Sequence, residues 1–176
     1  MGAVPNSGAD QLDTNLGPVM ALDVGERRIG VAVSDALQML ATPVLTLTRR
    51  SYDHDLATII ALAQQRGVVR ILVGYPLHMD GSLSEQARLS ARFAERLREA
   101  LPPHGPEVEL WDERLSTQEA VGLLDAGARG RAGLDALAAA VFLQEWLNQR
   151  RGPALMPPPP EWDLESGTPR PEEGRE

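Results

Sequence analysis

The spacing of apolar residues changes along the chain, and each change marks an element. Val19-Met20-Ala21-Leu22 is an apolar run that continues through Asp23-Val24 to Gly25, and Ile29 to Val33 is a second run reached through a Gly-Glu-Arg-Arg link. Two such runs joined by a few turn residues predict an antiparallel hairpin. Pro43 to Thr48 supplies a third strand. From Leu56 the spacing becomes helical, with Ile59, Ile60 and Ala63 in phase and Gly67 where a helix C-terminus would place it. Val69 to Val73 reads as a buried strand, followed by a loop from Gly74 to Ser82. An arginine-rich helix is predicted from about Ser84 to Leu101, stopping before Pro102-Pro103, and Val108 to Asp112 is a fifth strand. Ser116-Thr117-Gln118-Glu119 has the S-x-x-E form that opens a helix, here one carrying Ala120, Leu123 and Leu124. Glycines between 127 and 133 break it, and a last amphipathic helix covers Leu134 to about Gln149. The order β-β-β-α-β-α-β-α-α predicts an α/β fold. Its mixed five-stranded sheet is antiparallel through the first three strands and parallel through the last two, with helices on its faces.

The two ends lack this patterning. Residues 1–17 show no apolar period and read as a disordered extension; residues 151–176 hold seven of the 14 prolines and read as a Pro-rich, acidic, flexible tail. The folded domain is therefore expected at 18–150. The start has neither the basic leader nor the apolar stretch of a signal peptide, and no apolar run approaches the roughly 18 residues of a membrane span. The expectation is a cytoplasmic protein with no membrane partner.

Composition narrows the chemistry. All 17 basic residues among the 176 are arginine, and cysteine is absent. Schiff-base lysines, phosphate-loop lysines, thiol nucleophiles and thiolate metal sites drop out together. The net charge is −8. Of this, −2 falls in residues 1–17 and −3 in residues 151–176, leaving −3 on the domain. Such a surface is not that of a non-specific nucleic-acid binder. A polyanionic substrate would have to be met by local arginines or by metal.

Three acids stand out. Asp23 is a carboxylate inside an apolar strand, where burial demands a partner, a metal or a place at the strand end; it could equally cap the Gly25 turn. Asp112 and Glu113 end the fifth strand, so one of them points to the sheet edge where open α/β sheets keep their sites. Asp135 opens the last helix, where the helix dipole alone would account for it. If they converge, two unit charges about 4 Å apart repel by about 4 kcal/mol at an effective dielectric of roughly 20. A divalent cation resolves this, and hard oxygen ligands without Cys or clustered His favour Mg²⁺ or Mn²⁺. Two such ions suit the in-line hydrolysis of a phosphodiester.

Four blocks in order carry a resemblance: Asp23-Val24-Gly25-Glu26-Arg27-Arg28-Ile29-Gly30 with Val31 to Asp35; Val73-Gly74-Tyr75-Pro76-Leu77 with Asp80-Gly81-Ser82; Asp112-Glu113-Arg114-Leu115-Ser116-Thr117; and Asp135 to Ala139. Across 18–150 the chain resembles the YqgF/RuvX family of RNase H-like nucleases. The resemblance implies an RNase H-like fold and a nuclease acting in 5′-end maturation of the small-subunit ribosomal RNA precursor, with a Holliday junction resolvase as the alternative. It implies that Asp23, Glu113 and Asp135 are the catalytic, metal-binding acids, for two Mg²⁺ or Mn²⁺ ions. Arg28, Arg114, Gly25 and Ser116 are then expected at the substrate, and Asp112, Gly74, Pro76 and Asp80 in support. His78 stands where relatives often carry Asn and is given a structural role in its loop. The short segment before Asp135 holds only Arg129 and Arg131, fewer basic residues than relatives often have.

The implied partner is nucleic acid, either precursor ribosomal RNA or branched DNA; a junction resolvase would act as a homodimer because two strands must be cut. Arg88, Arg92 and Arg96 recur every four residues and read as a solvated face paired with Glu85, Glu95 and Glu99, or alternatively as a ladder for phosphates. Asp23-Val24-Gly25 followed by Gly30 also resembles the first phosphate loop of actin-like ATPases and sugar kinases, but those need a duplicated domain that this length cannot supply. A catalytically silent RNA-binding scaffold is the alternative of another class.

Overall fold

The computed structural model describes residues 16–78, 80, 83–112 and 133–150, together with the backbone of 162–163 and 168–169. Along the chain run β1 (Val19–Val24), β2 (Arg28–Ser34), β3 (Ala41–Thr48), α1 (Tyr52–Gln65), β4 (Arg70–Tyr75), α2 (Glu85–Ala100), β5 (Glu107–Asp112) and α3 (Leu134–Arg150). The five strands form one sheet in the order β3-β2-β1-β4-β5. β1 pairs antiparallel with β2, and β2 with β3, whereas β1–β4 and β4–β5 are parallel. The mixed sheet expected from the sequence is the one found.

Strand alternation sorts the core into two layers. Met20, Leu22, Val24, Ile29, Val31, Ile71 and Val73 pack with Leu56 and Ile59 of α1 and Phe93 and Leu97 of α2. Val19, Ala21, Ala32 and Leu72 point to the other face and meet Ala139, Ala140, Phe142, Leu143 and Trp146 of α3. Alanines on both sides of this second interface let the α3 backbone approach the sheet closely.

Local chemistry closes the helices, at Gly67 and Ser84 where the sequence predicts and at Ser51 where it was not anticipated. Ser51 caps α1 by accepting the His54 N–H, and Gly67 follows its C-terminus with φ of 62°. The Gly67 N–H donates to Gln64 O and the Val68 N–H to Ala63 O, satisfying the last carbonyls. Ser84 Oγ accepts the Ala87 N–H at the start of α2 and donates to Pro76 O at 2.6 Å, tying that helix to the preceding loop.

Two boundaries differ from the sequence reading. β3 begins at Ala41, with Pro43 opposite Ala32 next to a register shift, a position an edge strand tolerates because its outer side needs no donor. β4 continues through Gly74 and Tyr75, expected in the loop, because Trp111 and Asp112 carry β5 alongside them. The helix predicted from Ser116 lies outside the described residues, as do residues 1–15. In the Pro-rich segment Trp162–Asp163 (β6) pairs antiparallel with Thr168–Pro169 (β7), a local ladder that composition did not suggest. Among the described residues no helix is long and apolar enough to cross a membrane.

Candidate active site

Asp23 is the next-to-last residue of β1 and shares parity with Val19 and Ala21, so its side chain is on the α3 face. Its partner on β2 is Gly30, whose own partner on β3 is Thr46. On the other side, the register that sets Leu22 opposite Val73 runs on to place Gly74 beside Asp23, and Gly74 pairs with Trp111. The carboxylate therefore has a glycine on each neighbouring strand, and the sheet surface around it is free of side-chain bulk.

The start of α3 occupies that space. A Cβ on Gly30 would lie 1.9 Å from the carbonyl oxygen of Asp135, and one on Gly133 would lie 2.7 Å from Thr46 Oγ1. Gly133 has φ of 85°, a left-handed conformation that turns the chain into the helix at little cost for glycine alone. Backbone contact across Gly30 is thus what brings Asp135 up to Asp23, its neighbour in the sheet row.

The charges respond to one another. Burial, and then the negative charge of Asp135, push the Asp23 carboxyl up to about 6. Arg28, exposed at the end of the β1–β2 turn, pairs with Asp135 through Nε and Oδ2 at 2.9 Å. Arg28, expected at the substrate, is thus also the counter-ion of one acid. Gly25 closes the turn, its N–H donating to Arg28 O at 2.8 Å. Asp112 shares parity with Val108 and Leu110, so it belongs to the α1/α2 face and is not directed at Asp23. Pro76 and the exposed Asp80 stand in the loop after β4. Glu113, Arg114, Ser116, Arg129 and Arg131 lie outside the described residues.

The described donors are two carboxylates, Asp23 and Asp135, the first half-buried and both on the same face. Their mutual repulsion and all-oxygen chemistry fit a divalent cation. Among the described residues no larger cluster of metal-ligating side chains occurs.

The arginine stripe of α2 divides into separate roles. Arg88 pairs with Glu85 at 3.1 Å, and the Arg96 guanidinium lies 4.5 Å from the Tyr52 ring centroid. Arg98 donates twice to Val108 O. Sequence reasoning missed two residues beside the site, Arg49 and Gln86, which donate to the carbonyls of Gly25 and Val24 respectively. Nothing in their own spacing marks them, since their targets are backbone atoms of another element.

A family model described as RuvX, Holliday junction resolvase, matches residues 17–149. The chain belongs to the RuvX family. A Myxococcus xanthus relative, provisionally named a pre-16S rRNA nuclease, is 43% identical over 150 residues, covering 83% of this chain and 97% of its own. One from Anaeromyxobacter dehalogenans, with the same provisional name, is 47% identical over 135 residues, covering 74% and 96%. Among solved structures, Thermus thermophilus RuvC in complex with a Holliday junction substrate superposes with a TM-score of 0.52 at 13% identity, covering 77% of this RuvX-family chain and 96% of RuvC. That likeness shows the RNase H-like fold.

Proposed function

We propose that this RuvX-family chain is a divalent-metal-dependent nuclease that processes the 5′ end of the 16S ribosomal RNA precursor. The observation that carries the reading is the seating of the Asp135 backbone on Gly30, directly beside Asp23. Two carboxylates, one of them half-buried, come together at the carboxyl end of β1, where sites of open α/β sheets form. Asp23 and Asp135, with Glu113 as the third acid, would hold the metal. When bound, Mg²⁺ or Mn²⁺ polarises the scissile phosphate and supports the attack of water. The chain's own residues set up that chemistry. Asp23 is held in a low-dielectric position that strengthens its attraction for a cation. Gly30 admits the Asp135 backbone beside Asp23, and Arg28 stands exposed next to the acids, with Arg114 as a further candidate for phosphate oxygens. The relatives' names favour RNA over branched DNA.

The test is cleavage of labelled 16S precursor RNA and of a four-way DNA junction, each with Mg²⁺ or Mn²⁺, by wild type and Asp23→Asn. Metal-dependent cutting of the RNA that disappears in the variant is expected. Equal cutting by both proteins overturns the assignment, and cutting of the junction alone replaces RNA by DNA as substrate.

A further inference from the structure

The turn that follows Asp23 is held from outside. Its two carbonyls, Val24 O and Gly25 O, lie where β1 leaves the sheet, and each accepts a hydrogen bond from a side chain of another element. Gln86, in the first turn of α2, donates its amide to Val24 O. Arg49, just after β3, donates from a terminal guanidinium nitrogen to Gly25 O at 3.1 Å. The Arg49 N–H donates to Arg27 O at 2.9 Å, on the opposite limb of the same turn.

Arg49 is itself fixed on every side. Its Nε is 3.2 Å from Asp55 Oδ2, and Asp55 is 1% exposed, with its second oxygen accepting the Arg50 N–H at 3.1 Å. The guanidinium carbon lies 5.0 Å from the Tyr52 ring centroid and 5.6 Å from that of Phe93. The Arg49 side chain is only 12% exposed. A group so enclosed is poorly placed to reach a nucleic-acid backbone. A buried ion pair is also weak evidence for stability, since losing hydration offsets much of the Coulomb attraction. What the arrangement does supply is rigidity at one place.

We infer that Arg49 is a positioning residue for Asp23, with Gln86 as its counterpart. Together they lock the β1–β2 turn against α1 and α2, and so set the direction of the Asp23 carboxylate without touching substrate. This rests on the reading of Asp23 as a catalytic acid. Arginine suits the place because two nitrogens of its planar fork serve Asp55 and Gly25 O in a fixed geometry; the ammonium of lysine keeps the charge but lacks the second, rigidly placed nitrogen.

The experiment compares Arg49→Gln, Arg49→Lys, Gln86→Leu and Asp23→Asn with wild type, measuring kcat and KM on the precursor RNA well below each variant's Tm. It also records the salt dependence of RNA binding. Arg49→Gln and Gln86→Leu should lower kcat by about 10- to 100-fold, the scale of a misplacement near 1 Å, with KM and the salt slope unchanged. Arg49→Lys should not restore kcat, whereas a purely charge-balancing role would be rescued by it. The proposal is overturned by wild-type kcat in Gln86→Leu and Arg49→Gln, or by rescue with lysine. It is equally overturned if KM rises while kcat holds and the salt slope falls by about one phosphate contact. Gln86→Leu decides alone if Arg49→Gln does not fold. If Asp23→Asn keeps full activity, the catalytic reading fails and the inference goes with it. If Asp23→Asn is inert while both turn variants cut normally, positioning alone is wrong.

Discussion

Replacing Asp23 by Asn should remove cleavage and, in the absence of divalent metal, stabilise the protein in a pH-dependent way. The folded carboxyl titrates at about 6, raised from 3.8 by burial and by Asp135. Below the lower value both folded and unfolded chains bind the proton, and the acid has no effect on stability. Between the two values the folded state binds more protons than the unfolded one, so stability falls as pH rises; above about 6 the loss is complete. A gap of roughly two units at about 1.4 kcal/mol each amounts to about 3 kcal/mol. Asparagine carries no charge at any pH and escapes this loss. Thermal melts in chelated buffer should therefore show the variant and wild type close together near pH 4 and separated near pH 7.5. A change of about 3 kcal/mol corresponds to a Tm difference of roughly 6–12 °C for a domain of this size. Adding Mg²⁺ or Mn²⁺ should narrow the gap, because a cation that binds only the folded wild type stabilises it by mass action. A gap independent of pH, or a variant less stable than wild type at pH 7.5, refutes the electrostatic account of the site.

Three further outcomes follow from the packing around it. Gly30→Ala sets a methyl against the Asp135 carbonyl, backbone against backbone. It should cost about 3 kcal/mol in urea denaturation and abolish cleavage; a wild-type midpoint with wild-type cutting disproves the close crossing. Arg28→Ala removes a largely exposed ion pair, so stability should change by less than about 1 kcal/mol. RNA affinity should drop and lose up to about one contact's worth of salt dependence; unaltered binding in salt titrations removes Arg28 from the substrate surface. Leu143→Ala, fully buried between α3 and the sheet, should lower unfolding free energy by about 2–5 kcal/mol while leaving kcat of the folded enzyme unchanged, and a loss of kcat at low temperature contradicts that separation.

Strand and helix order was legible in the sequence because apolar period and capping residues are local signals. Ser84 and Gly67 mark helix ends through bonds to residues within a turn of themselves. Asp23 and Asp135 could be singled out for the same reason: a carboxylate in an apolar strand and one at a helix start are both anomalies of local context. Their meeting was expected from the family resemblance but could not be read from spacing. It depends on Gly30 and Gly133 admitting the backbone of a distant segment, and glycine in a turn-rich sequence has many explanations. Arg28 shows the limit of reading charge from position, since the residue expected to face substrate also neutralises Asp135. Arg49 and Gln86 escaped notice because their partners are carbonyl oxygens, which no side-chain pattern records.

The seating of α3 across β2 has a consequence for the order of events at synthesis. Among the described elements Asp23 belongs to the first strand and Asp135 to the last helix. The sheet can pair while its far face still lacks α3, and until then the end of β1 carries only one of these two acids. The pair of carboxylates is thus completed only after α3 has been made and has docked on the sheet.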